Sequence, residues 1–252
     1  MAATDLATAS WRDAGEAITR GAWAVLPIGA LEQHGYHLPL TVDTDLASGV
    51  ARGIADALDA LLLPAIAYGD AWNNSGFLGT ISLKPDTLRA MVMDIGRELK
   101  RMGVPVLVTL NGHFGNKEPI VLAARALESE GLRVIHLDYP GLEALAADIC
   151  DSEPAGPGFF HADEVETSMM LALRPDSVHM EKAVAEYPAF PPTFGIEPMQ
   201  LSDFNQSGVF GDPCPSTADK GRRLIDGIVV ACLDQIEAFR NRHRLSCTDP
   251  IE

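Results

Sequence analysis

The sequence predicts an α/β fold with a central, mostly parallel sheet. One observation predicts this fold, and a second predicts how much of the chain it includes. Short apolar runs alternate along the chain with longer amphipathic stretches, which is typical of βαβ units. Across the 252 residues no shift in composition marks a boundary, so we expect residues 1–252 to form a single domain.

Four apolar runs have the length and composition of buried strands, and each meets a Gly, Asn or Asp within the next two residues. They span residues 22–28, 61–67, 104–110 and 132–137. His136 lies inside the last of them and is expected to be a core residue.

Four stretches between or after these runs are predicted as helices, at 46–58, 85–102, 118–131 and 217–240. The second has Pro85 in its first turn and Gly103 just after its end, as helices often do. By contrast, residues 184–213 are rich in proline and aromatic residues and have no clear period. This segment is predicted to be a long loop that serves as a lid or an oligomer contact.

Charge and cysteine content exclude several classes of protein. With 35 acidic and 19 basic residues, the formal charge is −16, which makes nucleic acid and anionic membranes poor partners. No apolar run approaches the roughly 20 residues that span a bilayer, and no signal peptide is visible at the start. Cys150, Cys214, Cys232 and Cys247 are scattered without a CxxC pair, so we expect reduced thiols in a cytoplasmic protein.

Polar residues follow the first and the third predicted strand. The segment from Glu32 to His37 comes after the first strand, and Asn111, Gly112 and His113 come after the third. Because the carboxyl ends of parallel strands share one edge of a sheet, the two clusters are expected at the same edge, where sites form in such folds.

Side chains that can bind metal concentrate in these clusters and in a third one, at residues 161–166. The candidates are Glu32, His34, His37, Asp43 and Asp45, then His113, then His161, Asp163, Glu164 and Glu166. Mixed imidazole and carboxylate donors suit Zn, Mn, Fe or Co. Glu32 and His34 are two residues apart, so in an extended segment they point the same way, and Asp43 has two oxygens with which to bridge two cations.

Three alternatives without metal remain open. The first cluster could be a hydrogen-bonded loop anchor, and Asn111-Gly112 could be a simple turn. Residues 161–166 could be the solvated start of a helix. Glu166 lies three residues before Met169, close to an apolar helix face, and a carboxylate there requires a partner.

Three ordered strings resemble the signatures of the creatininase (creatinine amidohydrolase) family. They are LPIGALEQHGYHLPLTVD at 26–43, NGHFGN at 111–116 and HADEVETS at 161–168. FLGT at 77–80 and GVFGDP at 208–213 also resemble recurrent family segments. The resemblance is collinear over about residues 20 to 240.

The resemblance implies a three-layer α/β/α fold and a pair of divalent metal ions (Zn, Mn or Fe). By this resemblance, Glu32, Asp43 and His113 hold one metal, and His34 and Asp43 hold the second. Creatininase itself has a further glutamate ligand where this chain has Gly115. Glu166 is the expected substitute, with a base role as its alternative, and His161 is expected to bind substrate or transfer a proton.

The resemblance also implies hydrolysis of an amide in a cyclic amide, a formamide or a small peptide. Many members carry Ser-x-Glu-His where this chain has residues 71–74 (AWNN), so creatinine is not the first expectation. The predicted substrate-binding residues are Tyr36, Trp72, Asn74, Phe77, Gly112 and Gly115. Two alternatives remain: hydrolysis of a non-amide bond in a cyclic diketone, keto-inositol or lactone, and a non-catalytic protein that binds a metal or ligand. A small-molecule substrate and a homo-oligomer, the hexamer among its possible forms, are also implied.

Overall fold

The computed structural model describes residues 2–245, which form a five-stranded sheet with helices on both faces. The strands are β1 (Thr4–Asp5), β2 (Ala24–Ile28), β3 (Leu61–Leu62), β4 (Val106–Asn111) and β5 (Arg133–Leu137). Their order is β1-β3-β2-β4-β5, and every pairing is parallel. The predicted parallel α/β architecture is therefore confirmed.

Seven helices accompany the sheet within the described residues. They are α1 (Trp11–Thr19), α2 (Val42–Leu58), α3 (Pro85–Arg101), α4 (Lys117–Ser129), α5 (Leu142–Ile149), α6 (Glu164–Leu173) and α7 (Ala218–His243). One hydrophobic core includes residues of α2, α5, α6 and α7, and a second includes residues of α1, α3 and α4. The helices thus make two layers around the sheet, which is the α/β/α arrangement.

The central strands β2 and β4 are buried along their whole length. Successive side chains of a strand point to opposite faces, so each strand supplies both cores. Val25 and Val108 belong to the core beneath α2, whereas Leu26 and Leu107 belong to the core beneath α3 and α4. This two-sided burial explains why these strands appear in the sequence as continuous apolar runs.

Two predicted boundaries and the predicted burial of His136 were wrong. The run at 61–67 gives a strand of only two residues, because Pro64 has no N–H to donate; pairing with β2 resumes where Ile66 N–H donates to Pro27 O at 3.0 Å. Helix α2 begins at Val42, four residues before the predicted start. His136 is exposed and not in the core, because β5 is an edge strand.

Residues 184–213 are irregular apart from a 3₁₀ turn at Leu201–Asp203 and isolated bridges such as Glu186–Gly211, as the loop prediction requires. Four phenylalanines of this segment, Phe190, Phe194, Phe204 and Phe210, form ring contacts with one another, and three of them contact Phe159. A lid or contact role for the segment stays a prediction.

The described cysteines, Cys150, Cys214 and Cys232, are free thiols, and Cys247 lies outside the described residues. The single-domain prediction over 1–252 likewise includes residue 1 and residues 246–252, which are not described. Among the helices of residues 2–245, none combines the length and apolar character needed to cross a bilayer.

Helices α6 and α7 are in close contact at Gly221, where a Cβ atom would overlap the carbonyl of Ser168. We expect Gly221→Ala to lower the free energy of unfolding by about 1–3 kcal/mol, because the two helices must separate. Gly15→Ala in α1 is the matched control: its Cβ would meet nothing within 4 Å, and removing a helical glycine should stabilise the protein by roughly 0.5–1 kcal/mol. Urea unfolding of both variants measures this, and equal stability of Gly221→Ala and wild type would contradict the packing.

Candidate metal centre

The strand register brings the two predicted polar clusters together. Ile28 at the end of β2 pairs with Asn111 at the end of β4, so the chain leaves the sheet at neighbouring points before reaching Glu32 and His113. Helix α2 begins directly over these ends. A Cβ at Gly112 would lie 2.5 Å from the carbonyl oxygen of Asp43, so the absence of a side chain lets the first turn of α2 approach the sheet.

Four predicted metal-binding side chains meet at this edge. Asp43 lies between two histidines: its Oδ1 is 3.2 Å from His34 Nε2, and its Oδ2 is 3.2 Å from His113 Nδ1. Glu32 Oε1 lies 3.0 Å from His113 Nδ1 and 4.0 Å from His34 Nε2. All four side chains are at least nine-tenths buried, so their charges are poorly screened by water.

Glu166 completes the cluster from the other side. It lies in the first turn of α6, with Oε2 3.5 Å from His34 Nε2, and the same oxygen accepts a 2.6 Å hydrogen bond from Ala162 N–H. The helix N-termini of α2 and α6 therefore present Asp43 and Glu166 to the same space, where the helix dipole favours a carboxylate.

The surroundings of Gly115 leave no room for a second ligand from the 111–116 motif beside His113. A Cβ at this position would overlap the carbonyl oxygen of Asp70 and would lie 2.8 Å from His113 Nε2. Main chain therefore fills the space that a longer side chain would need, and the carboxylate present near His34 comes from α6 instead.

Both cluster histidines have their outward nitrogens engaged. His113 Nε2–H donates to Asp70 O at 2.8 Å, and His34 Nδ1–H donates to Glu32 O at 3.1 Å. The other nitrogen of each ring therefore faces the carboxylate oxygens and is the one that would give its lone pair to a cation, an arrangement that second-shell hydrogen bonds commonly impose on metal ligands.

Two buried atoms support the fit of a cation. Although His34 Nε2 lies near Asp43 Oδ1, neither this nitrogen nor Asp43 Oδ2 has a hydrogen-bond partner among the described residues. A buried polar atom without a partner is costly, and a divalent cation accepts lone pairs from both atom types. The residues present therefore fit a metal ion.

The pKa values reflect the close contact between buried carboxylates and imidazoles. Burial opposes protonation of His34, but Asp43 and Glu166 outweigh it and raise the pKa of His34 to about 10. Likewise, Glu32 and Asp43 overcome burial and raise the pKa of His113 well above its ordinary value. The carboxyl of Asp43 is buried too, yet His34 and His113 hold its pKa well below the usual range. Burial, chiefly, raises the pKa of Glu166 to about 8.

Within residues 2–245 the donors form three overlapping sets of three residues. In each set, one ligand atom per residue lies within 4.8 Å of the other two. The sets are Glu32, Asp43 and His113; His34, Asp43 and Glu166; and Glu32, His34 and His161. Asp43 belongs to the first two sets and can contribute one oxygen to each. This is the donor arrangement that a pair of cations sharing one aspartate requires.

His161 lies beside the cluster, with Nδ1 3.8 Å from Glu32 Oε1 and its ring centroid 4.5 Å from that of His34. Burial, together with the charge of His34, lowers the pKa of His161 well below its ordinary value. Its Nε2 is 2.7 Å from Gln33 Nε2.

The predicted substrate-binding residues are distributed around this cluster. Tyr36 and Trp72 are 58% and 43% exposed, and Phe77 is half-buried. Gly112 uses its N–H in a 2.8 Å hydrogen bond to Ile28 O. Asn74 is buried, with its Nδ2 donating to Glu32 Oε2 at 2.7 Å. These contacts do not test substrate binding, so the assignments stay predictions.

Sequence reasoning missed the residues that support the cluster. The side chain of Asn116 accepts from Asp70 N–H and donates to Gly29 O, both at 2.9 Å, which holds in place the Asp70 carbonyl that binds His113. Gln33 links Asn74 to His161. Asn116 and Gln33 do lie inside the quoted strings, but a main-chain carbonyl such as that of Asp70 has no signal in the sequence.

The fold and the donor set define the class of protein: a metal-dependent hydrolase built on a parallel α/β/α sheet, with its site at the carboxyl edge. Residues 7–236 match the creatininase family, described as creatinine amidohydrolase. The chain belongs to this family, and the family resemblance of the three strings is confirmed.

Individual relatives agree with this membership. The chain is 35% identical to a creatinine amidohydrolase of Pseudomonas putida over 227 residues, which are 84% of this chain and 87% of that protein. It is 30% identical to a mycofactocin precursor peptide peptidase of Mycolicibacterium smegmatis, over 86% of this chain and 85% of that protein. A solved mutant creatininase of the Zn-Zn type superimposes with a TM-score of 0.82 at 29% identity, covering 96% of this chain and 99% of that one.

Proposed function

We propose that this protein is a divalent-metal-dependent amidohydrolase that cleaves an amide bond in a small molecule or a short peptide. The observation that carries the proposal is the position of Asp43, whose two carboxylate oxygens each lie 3.2 Å from a different buried imidazole. The relatives support the reaction class, because a creatinine amidohydrolase and a peptide peptidase both act on C–N bonds.

We propose that Glu32, Asp43 and His113 hold one divalent ion and that His34, Asp43 and Glu166 hold the other, Zn, Mn and Fe being the candidate metals. The similarity to a Zn-Zn creatininase supports a pair of ions. When bound, such a pair polarises a carbonyl and makes water a stronger nucleophile at neutral pH. The residues fix the geometry, because His34 and His113 are held in one tautomer by main-chain carbonyls.

The substrate is proposed to enter between the loops that follow the strands. Tyr36, Trp72 and Phe77 are proposed to form the apolar walls, and the main chain at Gly112 and Gly115 is proposed to contact the substrate. His161 is proposed to contact the reacting group, since its Nδ1 lies 3.8 Å from Glu32 Oε1. A cyclic amide, a formamide and a small peptide are the candidate substrates.

Metal stoichiometry tests the ligand assignment. Asp43→Asn should lose both ions, because the shared aspartate serves each donor set. Glu166→Gln should retain the ion held by Glu32, Asp43 and His113 and lose the other. Glu118→Gln, an exposed carboxylate in the first turn of α4, is the matched control and should bind two ions per chain.

Elemental analysis after dialysis measures these contents. Two ions per chain in Glu166→Gln, accompanied by lost turnover, would assign Glu166 as a base and remove it from the ligand set.

A substrate panel tests the reaction class. Protein stripped with chelator and reloaded with Zn or Mn is assayed on cyclic amides, N-formyl compounds, short peptides, lactones and keto-inositols. We expect amide hydrolysis that appears with metal, disappears with chelator, and is absent in Asp43→Asn. Turnover confined to lactones or keto-inositols would replace the amidohydrolase proposal with hydrolysis of a non-amide bond, and metal binding without any turnover would support a binding protein.

We also propose that the protein is a homo-oligomer, the hexamer being the specific form to test. Large apolar side chains in the loops support this, since Leu78, Phe114 and Ile196 are 100%, 87% and 81% exposed. Light scattering should give a mass that is a multiple of 27.0 kDa and that falls in Leu78→Ser or Phe114→Ser. A monomer at micromolar concentration would contradict it.

The free thiols of Cys150, Cys214 and Cys232 support residence in the cytoplasm, which cell fractionation tests.

A further inference from the structure

The side-chain amide of Gln33 is a buried junction between a cluster carboxylate and His161. Its Nε2 lies 2.9 Å from Asn74 Oδ1, 2.7 Å from His161 Nε2 and 3.1 Å from Gly208 O. Its Oε1 accepts a 2.9 Å hydrogen bond from Gly35 N–H. Each of these contacts limits where protons can be placed.

The orientation of Asn74 follows from Glu32. The NH₂ group of Asn74 donates to Glu32 Oε2 at 2.7 Å. The oxygen of the same amide then faces Gln33. An oxygen in that position can only accept, and so it requires the NH₂ group of Gln33 opposite it.

Two further neighbours fix Gln33 independently. Gly35 N–H is a donor and requires the oxygen of the amide on its side, whereas Gly208 O is an acceptor and requires the nitrogen. Gln33 Nε2 has two protons for three close neighbours, Asn74 Oδ1, Gly208 O and His161 Nε2, and an amide nitrogen accepts no hydrogen bond. His161 Nε2, at 2.7 Å, must therefore face it with a lone pair. A proton on His161 Nε2 would oppose those of the amide.

The proton of the His161 ring is consequently on Nδ1. This atom faces the cluster at 3.8 Å from Glu32 Oε1, which is too long for a hydrogen bond. A protonated ring nitrogen has no lone pair, so Nδ1 cannot bind a metal, even though the distances group His161 with Glu32 and His34. It also cannot accept a proton.

We propose that Asn74 and Gln33 are positioning residues that relay the orientation of Glu32 to His161 and fix its Nδ1–H tautomer, so that His161 acts as a hydrogen-bond donor to the oxyanion that develops on the substrate. This role rests on the proposed hydrolysis. His161 is then neither a metal ligand nor a base. Asn74 contributes through Glu32 and Gln33, and its predicted contact with substrate is not needed for this role.

The relay explains what Asn74, the last residue of the tetrapeptide at 71–74, contributes to the site. The position requires a side chain that donates to Glu32 and accepts from Gln33 at the same time, and the Asn74 amide does so. A donor held in a buried site loses little energy on reorientation during reaction, which is the condition for strong oxyanion stabilisation.

The tautomer is measurable without substrate. In protein labelled with ¹⁵N-histidine, with the His161 signals identified by their loss in His161→Asn, we expect a protonated Nδ1 and an unprotonated Nε2, both in the chelated and in the Zn-loaded protein. Gln33→Glu, whose second oxygen accepts, should place a proton on Nε2. Gln235→Glu on the exposed face of α7 adds the same charge and should leave the His161 signals unchanged.

A protonated Nε2 in the wild type would overturn the relay, as would a Gln33→Glu protein that keeps Nε2 unprotonated. If Gln33→Glu fails to fold, the wild-type spectrum alone decides. Because these spectra need no turnover, they distinguish failure of the relay from failure of the proposed hydrolysis.

The donor role is tested by two variants of His161. His161→Ala should retain two ions per chain and lose roughly 10²–10³-fold in kcat, the range for removal of one oxyanion donor. Asparagine can place an N–H near the position of Nδ1 but cannot act as an acid or base at neutral pH, so His161→Asn should recover at least about tenfold of that loss. Equal inactivity of the two variants, or loss of an ion in His161→Ala, would overturn the donor role.

Discussion

The structure depends on the close approach of Glu32, Asp43 and Glu166, three carboxylates that converge where water is largely excluded. Their mutual repulsion is offset by two imidazoles and is relieved further by positive charge placed among them. Each supporting feature reduces the cost of holding them there: Asp43 and Glu166 lie in the first turns of helices, and Asn74 donates a hydrogen bond to Glu32. The arrangement therefore favours the binding of cations.

The fold supplies this convergence through the layer order. Two fully buried parallel strands end side by side, so segments far apart in the chain leave the sheet at one point. Helix α2 comes from one such segment and α6 from residues more than a hundred positions later, yet both belong to the same hydrophobic core. Packing of apolar side chains on that face of the sheet therefore sets the distance between Asp43 and Glu166, and the chemistry of the site depends on the core beneath it.

The sequence was informative where a residue's own chemistry determined its place. The central strands were recognisable because burial on both faces requires continuous apolar residues, and Glu32, His34, Asp43 and His113 because several donors follow strand ends. The sequence did not predict features that depend on neighbouring elements of the fold. Strand β1 has two residues, His136 is exposed only because β5 lies at an edge, and Pro64 interrupts a run that composition alone makes a strand. Support from the carbonyl of Asp70 could not be read from side chains at all.

The main chain that fills the space beside Gly115 also limits which residue can supply a carboxylate near His34. Helix α6 brings Glu166 beside His34 instead, with its Oε2 3.5 Å from His34 Nε2. Since the Asp70 segment and the His113 ring leave no room for a side chain at 115, a carboxylate introduced there would displace the Asp70 carbonyl that accepts from His113 Nε2–H. The course of this loop and the origin of the carboxylate beside His34 are therefore linked.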